Sequence, residues 1–406
     1  TIKIDLCVIV TIYDNGLKIV LPEKKIKNVL LSKIPLIVKS KYCITSKTNI
    51  INEECIYDLG GYTIINGNEK VIISQEKIAN NMIQVYKNLK QSIKYKYIAE
   101  VRCCAENKFV LPRLCSFKIT NKSDIFNNLI IVNISSIKKD IPLILIFKLL
   151  GCENDKEIIY NIIDNCDEEL DEKMIKILLP SINEVRDIKT EKEAYIYLFK
   201  FISFNHYICT EEKKIEYIKE IINKNYLSHI DSKNKIKYTG LIVNKLMKYY
   251  LGLYESDDRD SYIQKRIETP GVLLGNITYQ CLNKMVKDIK IYISKEAING
   301  LCNINHDYQN IINTVNINKI IKSTYIETCL KSALATGNWG LKNNKNKQGV
   351  SQVLNRLSFL SCLSHLRRVA TSGDVTGKLI PPRKLHNTQW GLLCPSETPE
   401  GQSVGL

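Results

Sequence analysis

A chain of 406 residues is longer than one ordinary domain, and a hydrophobic content of 45% excludes a disordered protein. Its formal charge of +16, from 58 Lys and Arg against 42 Asp and Glu, asks for an acidic partner, nucleic acid before an anionic membrane surface. The most apolar run, Ile141–Leu150, is too short to span a bilayer and contains Lys148, and no signal peptide is visible.

In chain order, the first third reads as mixed and strand-rich. Ile2–Ile12 is rich in Ile and Val, and Asp14-Asn15-Gly16 marks a turn before Leu17–Leu21. Leu30–Ser40 resembles a buried strand. Asp58–Asn68 and Glu69–Ile73 read as strands bounded by Gly turns, Gln75–Val85 as the start of a helix, and Val101–Thr120 as a hairpin. Apolar residues three and four apart then predict helices at Leu143–Leu150, Glu157–Ile163, Glu172–Leu179, Glu191–Phe201 and Glu211–Ile222, with Pro142 and Pro180 as punctuation. Asp257–Asp260 with Lys265 and Arg266 reads as a helix start, acids first and cations later, more readily than as a metal site. Helices resume at Leu274–Ile293 and Ile317–Leu334. Lys342–Gln348 is too polar to bury and reads as a loop.

The last stretch is different. Residues 329–406 hold ten Lys or Arg against three acids, a large share of the net charge in about a fifth of the length. Gly and Pro punctuate it in fixed blocks, as rigid loops gripping phosphates would require. Ser372–Leu379 fails as a P-loop, because its glycine spacing is one residue short and Leu379 follows Lys378. Arg367 and Arg368 follow an apolar helical pattern from Val350 to Leu366. They serve either the helix dipole or a phosphate, and the local charge density favours the phosphate. His365 and His386 read as structural imidazoles. Glu397 and Glu400, between Pro395 and Pro399, are not assigned acid–base roles. The 14 cysteines form no C-x-x-C pair, so no zinc site is expected and the thiols read as reduced and mostly buried, in a cytosolic or nuclear compartment. The chain starts at Thr1 and stops at Leu406 in mid-motif, and is read as a fragment.

Eight blocks appear in a family's order: DLGGYTIINGNEKV (Asp58–Val71), IPLILIFKLLG, DDRD with Lys265-Arg266, ALATGNWG, GVSQVLNR, LSHLRR, PPRKLHNTQWG and CPSETPEGQ. Together they resemble the second-largest subunit of multi-subunit DNA-directed RNA polymerases of the eukaryotic, archaeal and large-virus type, over essentially the whole chain. The resemblance implies an α+β multidomain fold with a mixed protrusion domain (1–137), a mostly helical lobe (138–260), a return to the protrusion (261–328) and a loop-rich fork (329–406). It implies a first fork loop at Leu341–Gln348 and a second at Thr371–Lys378. Gln352, Arg367, Arg368, Lys378, Lys345 and Lys347 would face nucleic acid, and Glu400 would approach the nucleotide-addition region without ligating metal. The chain departs from the family at Val375, often Arg there. It also has Asn355 and Ser358 where the bacterial rifampicin-binding segment has acidic or amide residues.

The implied reaction is nucleotidyl transfer, with Mg²⁺ in the assembled enzyme held mainly by the largest subunit and none by this segment. The implied partners are that subunit, smaller polymerase subunits, the DNA template and the RNA–DNA hybrid, with no membrane; the fragment alone is expected to be inactive. The sequence leaves localisation open between a nucleus and, for a virus, host cytoplasm or virion. A stand-alone nucleic-acid-binding or assembly protein is the alternative.

Overall fold

The computed structural model describes residues 1–406 apart from 15–16, 47–54, 89–93, 106–109, 121–127, 136, 138, 164–166, 203–209, 300–310, 314–315, 341–346 and 372–379. Both loops implied at 341–348 and 371–378 therefore lie largely outside the described residues, as do Lys345, Lys378 and the rejected P-loop.

The chain opens with two antiparallel pairs. β1 (Ile2–Val8) pairs with β4 (Lys24–Ser32), and β2 (Thr11–Asp14) pairs with β3 (Leu17–Val20). The expected strand at Leu30–Ser40 ends at Ser32, where Lys33 and Pro35 break the ladder. β5 (Thr63–Ile65) and β6 (Asn68–Ile72) form a tight hairpin. Its turn residues, Asn66 and Gly67, have φ of 50° and 78°, the left-handed pair that a two-residue hairpin needs.

The helix expected to start in Gln75–Val85 does not form. β7 (Ser74–Ile78) and β8 (Ile83–Lys87) stand there instead. β7 is the middle strand of a three-stranded sheet, with β13 (Lys265–Glu268) antiparallel on one side and β15 (Val369–Ala370) parallel on the other. Pairing across about 190 and 290 residues overrides the local helical preference of Gln75, Glu76 and Lys77.

β9 (Tyr95–Cys103), β10 (Arg113–Thr120), β11 (Ile130–Ile134) and β12 (Ile141–Pro142) complete a five-stranded antiparallel sheet in the order β12-β11-β10-β9-β8. The expected hairpin at Val101–Thr120 is the β9–β10 connection. Six helices follow: α1 (Leu143–Leu149), α2 (Asp155–Ile162), α3 (Glu168–Glu184), α4 (Glu191–Leu198), α5 (Glu211–Asn225) and α6 (Lys235–Tyr250). α1 is buried on every side, which is why it reads as a continuous apolar run. α4 starts at a capping box between Thr190 and Glu193. α3 runs through Pro180 rather than stopping at it. Met174, Ile177, Leu178 and Ser181 are buried on both sides of the proline, and their packing offsets the lost backbone bond.

The sheet and these helices share one hydrophobic core, in which Val85, Val101, Phe117, Leu145, Leu178 and Leu246 are each fully buried. That core crosses the expected boundary at 137/138, because β8–β11 pack their inner face directly on α1–α6. A second core joins β4 to α7 (Pro270–Asn299), α8 (Ile317–Ile320) and α9 (Ser323–Thr336), through residues including Val29, Leu273 and Leu330. The helix expected at Ile317–Leu334 is thus two helices.

Asp257–Asp260 does not start a helix. Asp257 accepts the Val85 amide at 2.7 Å and pairs with Lys245 at 2.9 Å, and Asp258 accepts the Asp260 amide. The acids are spent on a turn that joins β8 to the last segment of the chain.

Candidate nucleic-acid interface

The cation-rich segment is built on β6 and β7. After α9, Gly337 takes a left-handed φ of 74°, and a side chain there would meet the Ser351 carbonyl at 2.6 Å. Trp339 donates its indole N–H to the Leu273 carbonyl at 2.9 Å, and its backbone exchanges two hydrogen bonds with Lys347. These interactions tie Trp339 to α7 and pair it with Lys347. The chain then forms β14 (Ser351–Val353), antiparallel to β6, while the Ile73 amide donates to Val350 at 2.8 Å. The pairing explains why the apolar pattern from Val350 to Leu366 is helical only over α10 (Phe359–Leu366). Its first half is sheet, and a Ser358–Ser361 capping box starts the helix. β15 then pairs with β7, and the stretch 372–379 leaves from Thr371. β14 and β15 thus pair with one extended stretch, Asn68–Ile78.

A small third core, of Tyr62, Val71, Ile73, Leu354 and Cys362, seats α10 on this sheet. Beside it Arg356 binds the Glu69 carboxylate through two nitrogens, lies 5.0 Å over the Tyr62 ring and approaches Asp58 at 3.6 Å. Burial alone would raise the Asp58 carboxyl, but hydrogen bonds from Tyr62 and the Gly60 amide, with Arg356 nearby, hold its pKa below the ordinary value. Burial and the Asp58 hydrogen bond push the Tyr62 phenol up to about 12.

The residues singled out by sequence fall into three groups. Arg367 and Arg368 follow α10, both exposed, and neither is in an ion pair among the described residues. Gln352 and Lys347 are engaged within the protein. The buried His365 ring accepts the Asn355 amide at Nδ1, so Nε2 carries the proton and donates to Gln352 Oε1 at 3.1 Å. Gln352 in turn donates to the Gly349 carbonyl at 3.2 Å. Lys347 Nζ sits 2.7 Å from Glu268. Glu400 is exposed and precedes a short 3-10 turn, Gly401–Ser403. Glu397 accepts the Ser364 hydroxyl. Neither glutamate is joined to an acid–base partner, and among the described residues no three His, Cys, Asp or Glu gather where they could hold a metal ion.

His386 behaves as the structural imidazole expected. It bridges Asp258 at 2.7 Å and Thr388, and Thr388 Oγ1 accepts the Tyr262 amide. Sequence reasoning missed Glu69, Asp58, Tyr62 and Glu268. Each meets its cationic partner only after folding, across as many as 298 positions for Arg356 and Asp58, and no local spacing marks such a pair.

The molecule is thus an α+β multidomain protein that carries an exposed, basic, loop-bearing segment on a sheet tied to two other parts of the chain. Residues 2–327 match the RNA polymerase beta subunit family, and residues 352–406 match RNA polymerase Rpb2, domain 3; the chain belongs to the RNA polymerase beta subunit family. It is 38% identical over 392 residues to DNA-directed RNA polymerase II subunit 2 of Arabidopsis thaliana, covering 93% of this chain and 32% of that protein. It is 34% identical over 402 residues to DNA-directed RNA polymerase subunit 2 of Acanthamoeba polyphaga mimivirus, with 93% and 32% covered. To DNA-directed RNA polymerase subunit Rpo2 of Sulfolobus acidocaldarius it is 31% identical over 388 residues, with 93% and 31% covered. The chain spans about a third of the length of the curated relatives it matches.

Proposed function

We propose that this chain works within a DNA-directed RNA polymerase as part of its second-largest subunit, and that its segment 329–406 holds nucleic acid beside the RNA–DNA hybrid and the downstream fork. The observation that carries this reading is the placement of Arg367 and Arg368. They stand exposed and unpaired among the described residues, in the stretch matching RNA polymerase Rpb2, domain 3. Guanidinium groups on phosphates give affinity without reading bases, which a sliding polymerase requires. Lys345 and Lys378 would add to them from the two loops. Gln352 and Lys347 would reach nucleic acid only by releasing His365 and Glu268.

The partners proposed are the largest polymerase subunit, smaller subunits, DNA and the hybrid. Mg²⁺ would supply charge stabilisation for nucleotidyl transfer from ligands outside this chain. The described residues offer no fitting donor set, since Glu397 is bound by Ser364 and Glu400 stands exposed. Glu400 is placed near nucleotide addition on the resemblance alone. The four-part division at 137/138, 260/261 and 328/329 is kept as a proposal, with the lobe core reaching back to Val85.

The test is retention of a preformed hybrid by assembled polymerase carrying Arg367→Ala and Arg368→Ala across a salt series. Weaker retention with a shallower salt slope supports the reading, and unchanged retention overturns it.

A further inference from the structure

Two helices of the second core bring a pair of thiols together. On α7, Leu273, Ile277, Cys281 and Met285 recur every fourth residue and are all buried, with Cys281 0% exposed. On α9, Tyr325 and Cys329 stand one turn apart beside the buried Ile326 and Leu330. A separate contact shows that these turns face each other: Lys284, one turn beyond Cys281, places its ammonium 5.1 Å from the centre of the Tyr325 ring. Cys281 and Cys329 meet beside it as hydrogen-bonded thiols, and both are free. Burial first, with Cys329 second, pushes the Cys281 thiol up to about 12. Cys281 is therefore protonated and closed off, while Cys329 is half-buried and reaches solvent. Cys103 and Cys115, which also face each other, are both 0% exposed and give an oxidant no way in.

We propose that Cys281 and Cys329 are a reversible oxidation site, closed to a disulfide by exchange with glutathione disulfide. The proposal goes beyond the nucleic-acid reading and does not depend on it. Cys329, as thiolate, attacks one sulfur of glutathione disulfide. The bond between Cys329 and that sulfur forms, the S–S bond of the reagent breaks, and one glutathione leaves and takes up a proton. Cys281 then gives up its proton and attacks the Cys329 sulfur, which releases the second glutathione as a thiol. The two protein sulfurs lose two electrons and two protons in all, and glutathione disulfide takes them up as two thiols. The new bond ties α7 to α9, the helix that ends at Gly337 where the cationic segment begins. An excess of reduced glutathione runs the exchange backwards.

The experiment treats the full-length subunit, in assembled polymerase without nucleic acid, with glutathione disulfide. The protein is then unfolded, its remaining thiols are alkylated, and the digest is mapped by mass spectrometry. Wild type should lose two alkylatable thiols and yield one peptide pair joined through Cys281 and Cys329, separated again by dithiothreitol. Cys281→Ser should stop at a stable Cys329–glutathione adduct, and Cys329→Ser should leave Cys281 alkylated. Three wild-type results would each overturn the proposal: both thiols still alkylated, an adduct on Cys329 that never closes, or either thiol joined to a different cysteine. A glutathione adduct on Cys281 in Cys329→Ser would overturn the order of attack. The wild-type map decides by itself if a serine variant fails to assemble. A failure of the functional reading would appear in hybrid retention and leave this map unchanged.

Discussion

Arg356 and Glu69 are joined face to face across 287 positions, guanidinium Nε at 2.7 Å from one carboxylate oxygen and Nη2 at 2.8 Å from the other. This pair fastens the start of the α10 segment to the β5–β6 hairpin. The planar fork of Arg is what makes it bidentate, so Arg356→Lys keeps the charge and loses the geometry. The two side chains are 43% and 32% exposed, which limits the effect to about 1 kcal/mol of stability. Chemical denaturation of the variant should show that modest loss with an unchanged m-value; a loss several times larger would mean that Arg356 does more than bind Glu69.

Glu76 should be far less tolerant. Its carboxylate is almost fully buried, with Lys265 at 2.8 Å and the Tyr262 hydroxyl donating at 2.7 Å. Glu76→Gln leaves Lys265 buried without its counter-charge, a change that costs about 3–5 kcal/mol when a buried pair is broken. The unfolding midpoint should fall accordingly, while Glu76→Gln with Lys265→Met should recover part of the loss. Equal midpoints for the single variant and wild type would contradict the pairing.

His365 should make stability fall on acidification. Burial, with Arg368 nearby, holds its pKa below the ordinary 6.5 in the folded protein. Below about pH 6.5 the unfolded chain then binds a proton that the folded chain refuses, so stability is lost as pH drops from there towards the folded value. Protonation also removes the acceptor that Nδ1 offers Asn355. The measurement is the unfolding free energy of wild type and His365→Gln between pH 7.5 and pH 5. The difference between them should narrow as pH falls, and a constant difference would show that His365 does not titrate in this window.

Gly337 should resist substitution. Its left-handed φ and the Ser351 carbonyl leave no place for a Cβ, so Gly337→Ala should cost on the order of 1–3 kcal/mol and disturb the turn from α9 into the loop stem. A thermal midpoint equal to wild type would contradict this geometry.

Much of the fold was legible because it is local. Three- and four-residue spacings mark α1 to α5, and the alternation in Val101–Thr120 marks the β9–β10 hairpin, whereas α6 and the hairpin turn at Asn66-Gly67 were not anticipated. What was not legible depends on distant partners. Gln75–Ile78 looks helical until β13 and β15 flank it, and Val350–Val353 looks helical until β6 pairs with it. The candidate site divides in the same way. Exposed arginines after an apolar helix can be read from sequence, but the spending of Lys347 on Glu268 and of Gln352 on His365 cannot, because those partners lie 79 and 13 positions away with no pattern linking them.

The most direct test of the central claim is the salt dependence of hybrid retention by assembled polymerase with Arg367 and Arg368 both changed to Ala. Each phosphate that is no longer neutralised should reduce the log–log salt slope by about 0.7–0.9. The account predicts weaker retention and a slope shallower by between one and two such steps, while a slope identical to wild type would contradict it.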